Sequence, residues 1–361
     1  MRSATASRRA TEPGDAVIPP RGATTALRSR PAATSRRPAW RLGCALAAAA
    51  VLLGLCGLAA GSEGWSFDWA AEWDLVSSIR APRTLGALLA GALLGLAGAV
   101  AQGLFRNPLA DPYLLGSATG AGLGVVLVLS IGSLGGSAFH AAADGLAQLG
   151  LVGAAFVGAL AGVCLALVLA RGAARPMVLL LAGVVVGILM AALSDLLMLI
   201  SPQALRGRQV FLLGTTGFLG WGETRVLAAT LVLALPVAVG FARALDALVL
   251  GEQSAASLGV HLPLVRLLLV AVMALCTGAA VAQTGLVSFV GLVAPHLVRR
   301  CVTVTHGALL VLSALAGGVL LQAADVAARV VVAPQELPVG VLTAVFGGAY
   351  LLVLLRRRTP A

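Results

Sequence analysis

The 361-residue sequence contains no lysine, so all 25 basic residues are arginine. That absence removes the P-loop nucleotide site, whose lysine contacts the phosphates. The chain therefore has no Walker A route to ATP hydrolysis. Charge of any sign is scarce, at 11% of residues, against roughly 25% in soluble domains. Aromatic residues make up only 4%. The five cysteines, at 44, 56, 164, 276 and 301, are odd in number and have neither metal nor redox spacing. They read as small apolar residues. The four histidines, at 140, 261, 296 and 306, place no ligand pair on one helix face. No carboxylate pair or nucleophile constellation stands out. The sequence thus calls for no catalytic residues, metal or cofactor.

What the sequence has is apolar surface: 59% hydrophobic residues and a mean hydropathy of +0.99. No soluble core of this length could hide it, whereas lipid can solvate it. The net charge of +11 is largely a feature of the N-terminus, where nine arginines fall within residues 1–41. Nucleic acid is accordingly not an expected partner. Residues 1–39 hold no apolar segment and only two acids, Glu12 and Asp15. They read as a disordered Arg-rich cytoplasmic tail, with a transit peptide or an early start codon as the other readings.

Apolar segments follow at 40–60, 83–105, 113–132, 146–170, 176–200, 224–245, 263–283, 286–300, 306–325 and 338–355. Each is near the length that crosses about 30 Å of hydrocarbon, except the short eighth. The expectation is an all-α polytopic membrane domain over 40–358 with about ten spans. Pro112, Pro176, Pro263 and Pro338 stand at span openings, where a missing N–H costs nothing. Glycines at four-residue spacing, Gly91/Gly95 and Gly116/Gly120/Gly124, predict close helix packing in lipid. "GAGLG" near 120 follows no strand and is not a dinucleotide fingerprint.

Orientation follows from the arginines. An even number of spans puts both termini on one side. The tail and the loops near 106, 171–175, 243–266, 299–300 and 356–358 hold 19 arginines, and the other side holds Arg80, Arg83, Arg206, Arg208, Arg225 and Arg329. Both termini are thus expected in the cytoplasm, with the loop 61–79 outside. Arg80 and Arg83, in "IRAPRTL", are then on the wrong side to be a topology signal. Three readings stand: a snorkelling pair, pairing with the nearby acids Glu63, Asp68, Glu72 and Asp74, or a docking point for an acidic external partner.

Two further features bear on function. Asp195, toward the outer end of the fifth span, is an ionisable residue in a span and a candidate for lining a pathway; an outer-interface residue is the other reading. The cytoplasmic loop 246–262 contains "EQSAASL", which fits two helical turns with Glu252 at the positive end and Gly259 as the stop. A short helix held beneath the membrane suits a soluble partner's grip, or is an ordinary connector. A weak echo between "AGAVAQ" (97–102) and "GAAVAQ" (278–283) fits an inverted repeat.

Four longer stretches then resemble the FecCD family of permeases, the membrane subunits of ABC importers for iron–siderophore complexes, haem and vitamin B12. They are "RAPRTLGALLAGALLGLAGAVAQGLFRNPLADPYLLG" (80–116), "LGEQSAASLGV" (250–260), "GLVSFVGLVAPHLVRR" (285–300) and "ELPVGVLTAVFGGAYLLVLLRR" (336–357). The resemblance covers roughly residues 75–358. It implies the type II ABC importer permease fold, in a bacterial inner membrane. It implies a second permease subunit, identical or related, two ABC ATPase subunits below and an external substrate-binding protein. It implies that Arg80, Arg83 and Arg329 dock that protein. Glu252, Gln253, Ser254, Ala255, Ala256, Ser257, Leu258 and Gly259 would couple to the ATPase. Asn107 and Leu109 would narrow the cytoplasmic exit. The stretches 209–223 and 322–335 depart from the family's pattern near the outer mouth, and so cloud the cargo. A secondary transporter without an ATPase is the rival class, and would require ionisable residues deep in the spans.

Overall fold

A computed structural model of the protein describes residues 38–61, 64–134, 144–172, 175–201 and 203–358. All of the Arg-rich segment 1–39 except its last two residues lies outside them, as does Glu63.

The described residues are mostly helical. The ten helices that match the expected spans are α1 (Ala39–Ala59), α2 (Ala81–Leu104), α3 (Ser117–Leu134), α4 (Asp144–Leu169), α5 (Pro176–Ile200), α7 (Trp221–Gly240), α10 (Leu262–Thr284), α11 (Val290–Cys301), α12 (His306–Val330) and α13 (Val339–Arg358). Shorter helices between them include α6 (Gln203–Leu213), α8 (Ala242–Val249) and α9 (Glu252–Ser257). Among the described residues, seven helices are long and apolar enough to cross a membrane, and α3 and α13 contain shorter apolar helices. A two-residue antiparallel pair, Ala60–Gly61 with Gly64–Trp65, caps the end of α1.

Prolines open elements where expected. Pro176 and Pro263 sit in the first turns of α5 and α10, Pro112 opens a 3₁₀ turn before α3, and Pro338 directly precedes α13; Pro82, not among those expected, sits in the first turn of α2. Their fixed φ suits a first turn, where the N–H has no helical acceptor.

α2 is the hub, packed against α7, α10, α11 and α12. Small residues set those distances. A side chain on Gly91 or Gly95 would strike the backbone of Gly317 or Ser313 on α12, and one on Gly98 would strike the carbonyl of Gly291 on α11. A second seam joins α3 to α4 through Gly116/Gly162, Gly120/Gly158 and Gly124/Ala154. Lipid supplies no hydrophobic drive between helices, so close backbone approach replaces it.

The expected short span is a half-helix. α11 has 12 residues, roughly 18 Å at the helical rise. The chain breaks before it, with Gly285 and Phe289 at positive φ. The freed backbone groups find partners inside the protein: Leu286 N–H donates to Phe211 O at 2.9 Å, and Thr215 N–H to Thr284 O at 2.8 Å. Irregular backbone survives at membrane depth only when satisfied this way.

Candidate functional site

α2 has polar clusters at both ends, separated by roughly 36 Å of helix. At its N-terminal end lie the three arginines singled out above. All are buried, at 7% (Arg80), 8% (Arg83) and 2% (Arg329) exposure.

Arg80 takes the pairing reading. Its Nη2 lies 2.8 Å from Glu72 Oε2, and its Nη1 donates to Leu58 O at 3.2 Å. Arg83, three residues on, ignores those nearby acids. Its Nε donates to Asp325 Oδ1 at 3.0 Å and its Nη1 to Glu336 Oε1 at 2.9 Å. Arg329 also bonds Asp325, and donates to Gly57 O at 2.9 Å, Ala60 O at 3.3 Å and Thr84 Oγ1 at 3.0 Å. Thr216 Oγ1 donates to Asp325 Oδ1 at 2.5 Å. Two guanidiniums and two carboxylates thus neutralise one another, and Asp325, wholly buried, holds the centre. The cluster ties α2, α12, the end of α1, the 214–220 loop and the segment before α13.

Sequence reasoning missed Asp325, Glu336, Thr84 and Thr216. Asp325 and Arg329 carried a readable signal, opposite charges at i and i+4 in an apolar helix. Glu336 opens the quoted "ELPVG" run but carried no sign of its partner. Arg329 is the most deeply buried of the three arginines.

At the C-terminal end of α2, Arg106 adopts positive φ. Asn107 Oδ1 accepts from Leu109 N–H at 2.9 Å, which fixes a tight turn with both residues exposed. Beyond it, Asp111 Oδ1 accepts from Tyr113 N–H at 2.8 Å. Burial pushes the Asp111 carboxyl above its usual value, and the Tyr113 bond opposes the shift.

The 246–262 loop folds as expected. α9 spans Glu252–Ser257, between Gly251 and Gly259, both at positive φ where glycine costs least. Ala255 alone of the helix is buried; Gln253, Ser254, Ala256, Ser257, Leu258 and Gly259 are exposed. Glu252 joins this small helix to the bundle. Its Oε1 lies 2.7 Å from Arg266 Nη2 on α10 and 3.8 Å from Arg106 Nη2. Asp246 on α8 bonds both the backbone N–H (3.0 Å) and Nδ1 (2.7 Å) of His306, the first residue of α12. Neither Arg266 nor Arg106 was expected in a coupling role. Their spacing from Glu252 gave no sequence signal.

Asp195 stands apart from both clusters. It is exposed on α5 and pairs with Arg208 on α6 at 2.7 Å. Among the described residues no group of three or more His, Cys, Asp or Glu is placed to hold a metal ion.

The arrangement offers a neutral, buried latch at one end of the central helix and an exposed short helix beside the other. The FecCD transport family model matches residues 44–357. The chain belongs to the FecCD transport family. Its relatives include the Fe(3+) dicitrate transport system permease protein FecD of Escherichia coli (strain K12), 38% identical over 80% of this chain and 88% of the relative. The hemin transport system permease protein HmuU of Yersinia pestis is 40% identical over 80% of this chain and 85% of its own length. The vitamin B12 import system permease protein BtuC of Salmonella typhi is 40% identical over 85% and 91%. A solved structure assigned to a metal-chelate type of ABC transporter, in an inward-facing conformation, superposes with a TM-score of 0.78 at 26% identity, covering 88% of this chain and 99% of that one. As a FecCD family member the chain is an all-α, multi-pass permease of the ABC-importer class. It is a transport subunit and not an enzyme.

Proposed function

We propose that the chain forms half of the translocation pathway of a binding-protein-dependent importer, with a second permease subunit completing it. The observation that carries this reading is the pair of clusters on one helix. One end of α2 presents the latch at Arg80 and Arg83; the other adjoins the exposed helix α9.

Under this reading the latch faces outward, where acidic side chains of a substrate-binding protein engage Arg80 and Arg83. Arg–carboxylate contacts are short and geometrically defined, and lysine cannot reproduce their fork. Arg329 belongs to the docking set as a support: it holds Asp325, and Asp325 holds Arg83. Two ATPase subunits grip α9 from the cytoplasm through residues 252–259. Their nucleotide cycle moves α9, and Glu252 passes the motion to α10 through Arg266. Access then alternates, with the Asn107–Leu109 turn narrowing the cytoplasmic exit. Asp195 lines the route only if the second permease subunit faces α5. Both termini lie in the cytoplasm.

The favoured cargo is an iron–siderophore complex, with haem or vitamin B12 as the alternatives; relatives of similar identity are named for Fe(3+) dicitrate, hemin and vitamin B12. An ATPase-independent secondary transporter is disfavoured. It would require ionisable residues deep in the spans, whereas Asp325 is held by Arg83 and Arg329 and Asp195 is paired with Arg208.

The test is a pull-down of the permease in lipid nanodiscs with its own system's ATPase and binding protein. Arg80→Ala/Arg83→Ala should lose only the binding protein, and a variant disrupted at 252–258 only the ATPase. Recruitment of neither partner by the wild type would overturn the reading.

A further inference from the structure

The two docking arginines are not free to dock. Each is buried, and each already holds a carboxylate of its own chain. The two carboxylates share one property: their side chains are the half-exposed members of the pairs, at 36% for Glu72 and 35% for Glu336, against 8% and 9% for Arg80 and Arg83. All other partners of these arginines are fixed. Leu58 O belongs to the end of α1, and Asp325 is wholly buried within α12. Gly61 packs directly on the Arg80 guanidinium and closes that side.

We infer that Glu72 and Glu336 are built-in competitors, which occupy Arg80 and Arg83 until carboxylates of the external binding protein displace them. This deepens, and rests on, the docking reading above. The geometry favours exchange over addition. Of the carboxylates that hold the two arginines, the glutamates are the ones solvent reaches, so an incoming carboxylate meets each arginine by replacing its glutamate. Both glutamates hang from exposed chain, in segments 67–75 and 331–336, so they can swing into water without opening the core. Asp325 cannot leave, so Arg83 keeps one partner throughout. Exchange also conserves charge. Each guanidinium is already desolvated and paired, so the partner gains only the difference between two ion pairs. Docking by exchange is therefore selective and readily reversible.

Exchange has a structural consequence. Glu336 sits between Gln335, whose N–H donates to Val332 O at 3.0 Å, and Leu337, whose N–H donates to Ala328 O at 3.0 Å. Releasing Glu336 leaves those two backbone bonds to hold this turn against the end of α12. The segment leading into α13 then loosens when the partner is seated.

The experiment measures binding of the system's own substrate-binding protein to nanodisc-embedded permease. The variants are Glu72→Gln, Glu336→Gln, their double, Asp74→Asn and Arg80→Ala/Arg83→Ala. Asp74 is an exposed acid on the same segment as Glu72. If the glutamates compete, removing either charge tightens binding roughly two- to fivefold and the double more, while Asp74→Asn has a smaller effect. Damage to the structure would weaken binding, so the direction is diagnostic. Unchanged or weakened binding in the Gln variants, with binding lost in the arginine variant, overturns the exchange and leaves docking intact. Equal tightening by Asp74→Asn overturns it too, since general repulsion then suffices. If the arginine variant binds like wild type, docking at this site fails and the exchange fails with it.

Discussion

Asp325 and Arg329 stand one turn apart on α12 and are ion-paired where solvent does not reach. Arg83, from the far end of the sequence, shares the same carboxylate. Replacing Asp325 with Asn leaves two buried cations with only Glu336 as a charged partner. Such a loss costs about 3–5 kcal/mol. Asp325→Asn should sharply reduce the fraction of permease that stays monodisperse after heating in detergent. Asp325→Asn combined with Arg329→Met should recover part of that loss, because one orphaned cation is removed with its partner. Equal survival of wild type and Asp325→Asn would show that the network contributes little.

The ten helices at the expected positions were legible because their signal is local. Long apolar runs, Pro at the first turn and Gly at four-residue spacing each predict a helix or its packing without knowledge of the rest of the chain. α9 was legible for the same reason, with Glu252 at its start and Gly259 as its stop. The partners of Arg83 were not legible. Asp325 lies 242 residues away and Glu336 lies 253, and only the packing of α2 on α12 brings them together. Arg80 shows the contrast: its partner Glu72 is eight residues upstream in sequence, and was among the acids named for it. Arg266 gave no signal because a lone arginine at a span opening reads as an ordinary topology charge.

The glycine seam on α2 gives a sharp comparison. A side chain at Gly98 meets the Gly291 carbonyl, whereas one at Gly348 on α13 meets nothing within 4 Å. Gly98→Ala should destabilise by about 1–3 kcal/mol, as overpacking does. Gly348→Ala should be neutral or slightly stabilising, because alanine is the better helix former. Thermal survival of the two variants in detergent separates them. Similar behaviour would mean that α2 and α11 can move apart at little cost.

Glu252 is two-fifths exposed, and Arg266 is buried. Glu252→Gln should therefore change stability by no more than about 1 kcal/mol, since solvent screens the pair. Its effect should fall on coupling. The ATPase should still bind through the exposed face of α9, while substrate moved per ATP hydrolysed declines. Reconstituted proteoliposomes measure both quantities. Loss of ATPase binding in this variant would place Glu252 in the grip itself and not in the link to α10.

Orientation is decided by two positions on opposite sides of α2. Ser78 lies in the exposed segment before it, and Ser257 lies on the exposed face of α9. In a cysteine-free background, Ser78→Cys should react with a membrane-impermeant maleimide added to intact spheroplasts, and Ser257→Cys only after lysis. The expectation rests on the arginines: with an even number of spans, the sequence reading assigns 19 of the 25 to the side of the 246–262 loop, and basic residues are retained on the cytoplasmic face. The reverse pattern would turn Arg80 and Arg83 toward the cytoplasm, where no external binding protein can reach them. It would also place α9 outside the cell, beyond any ATPase. One labelling experiment thus bears on both halves of the proposed mechanism.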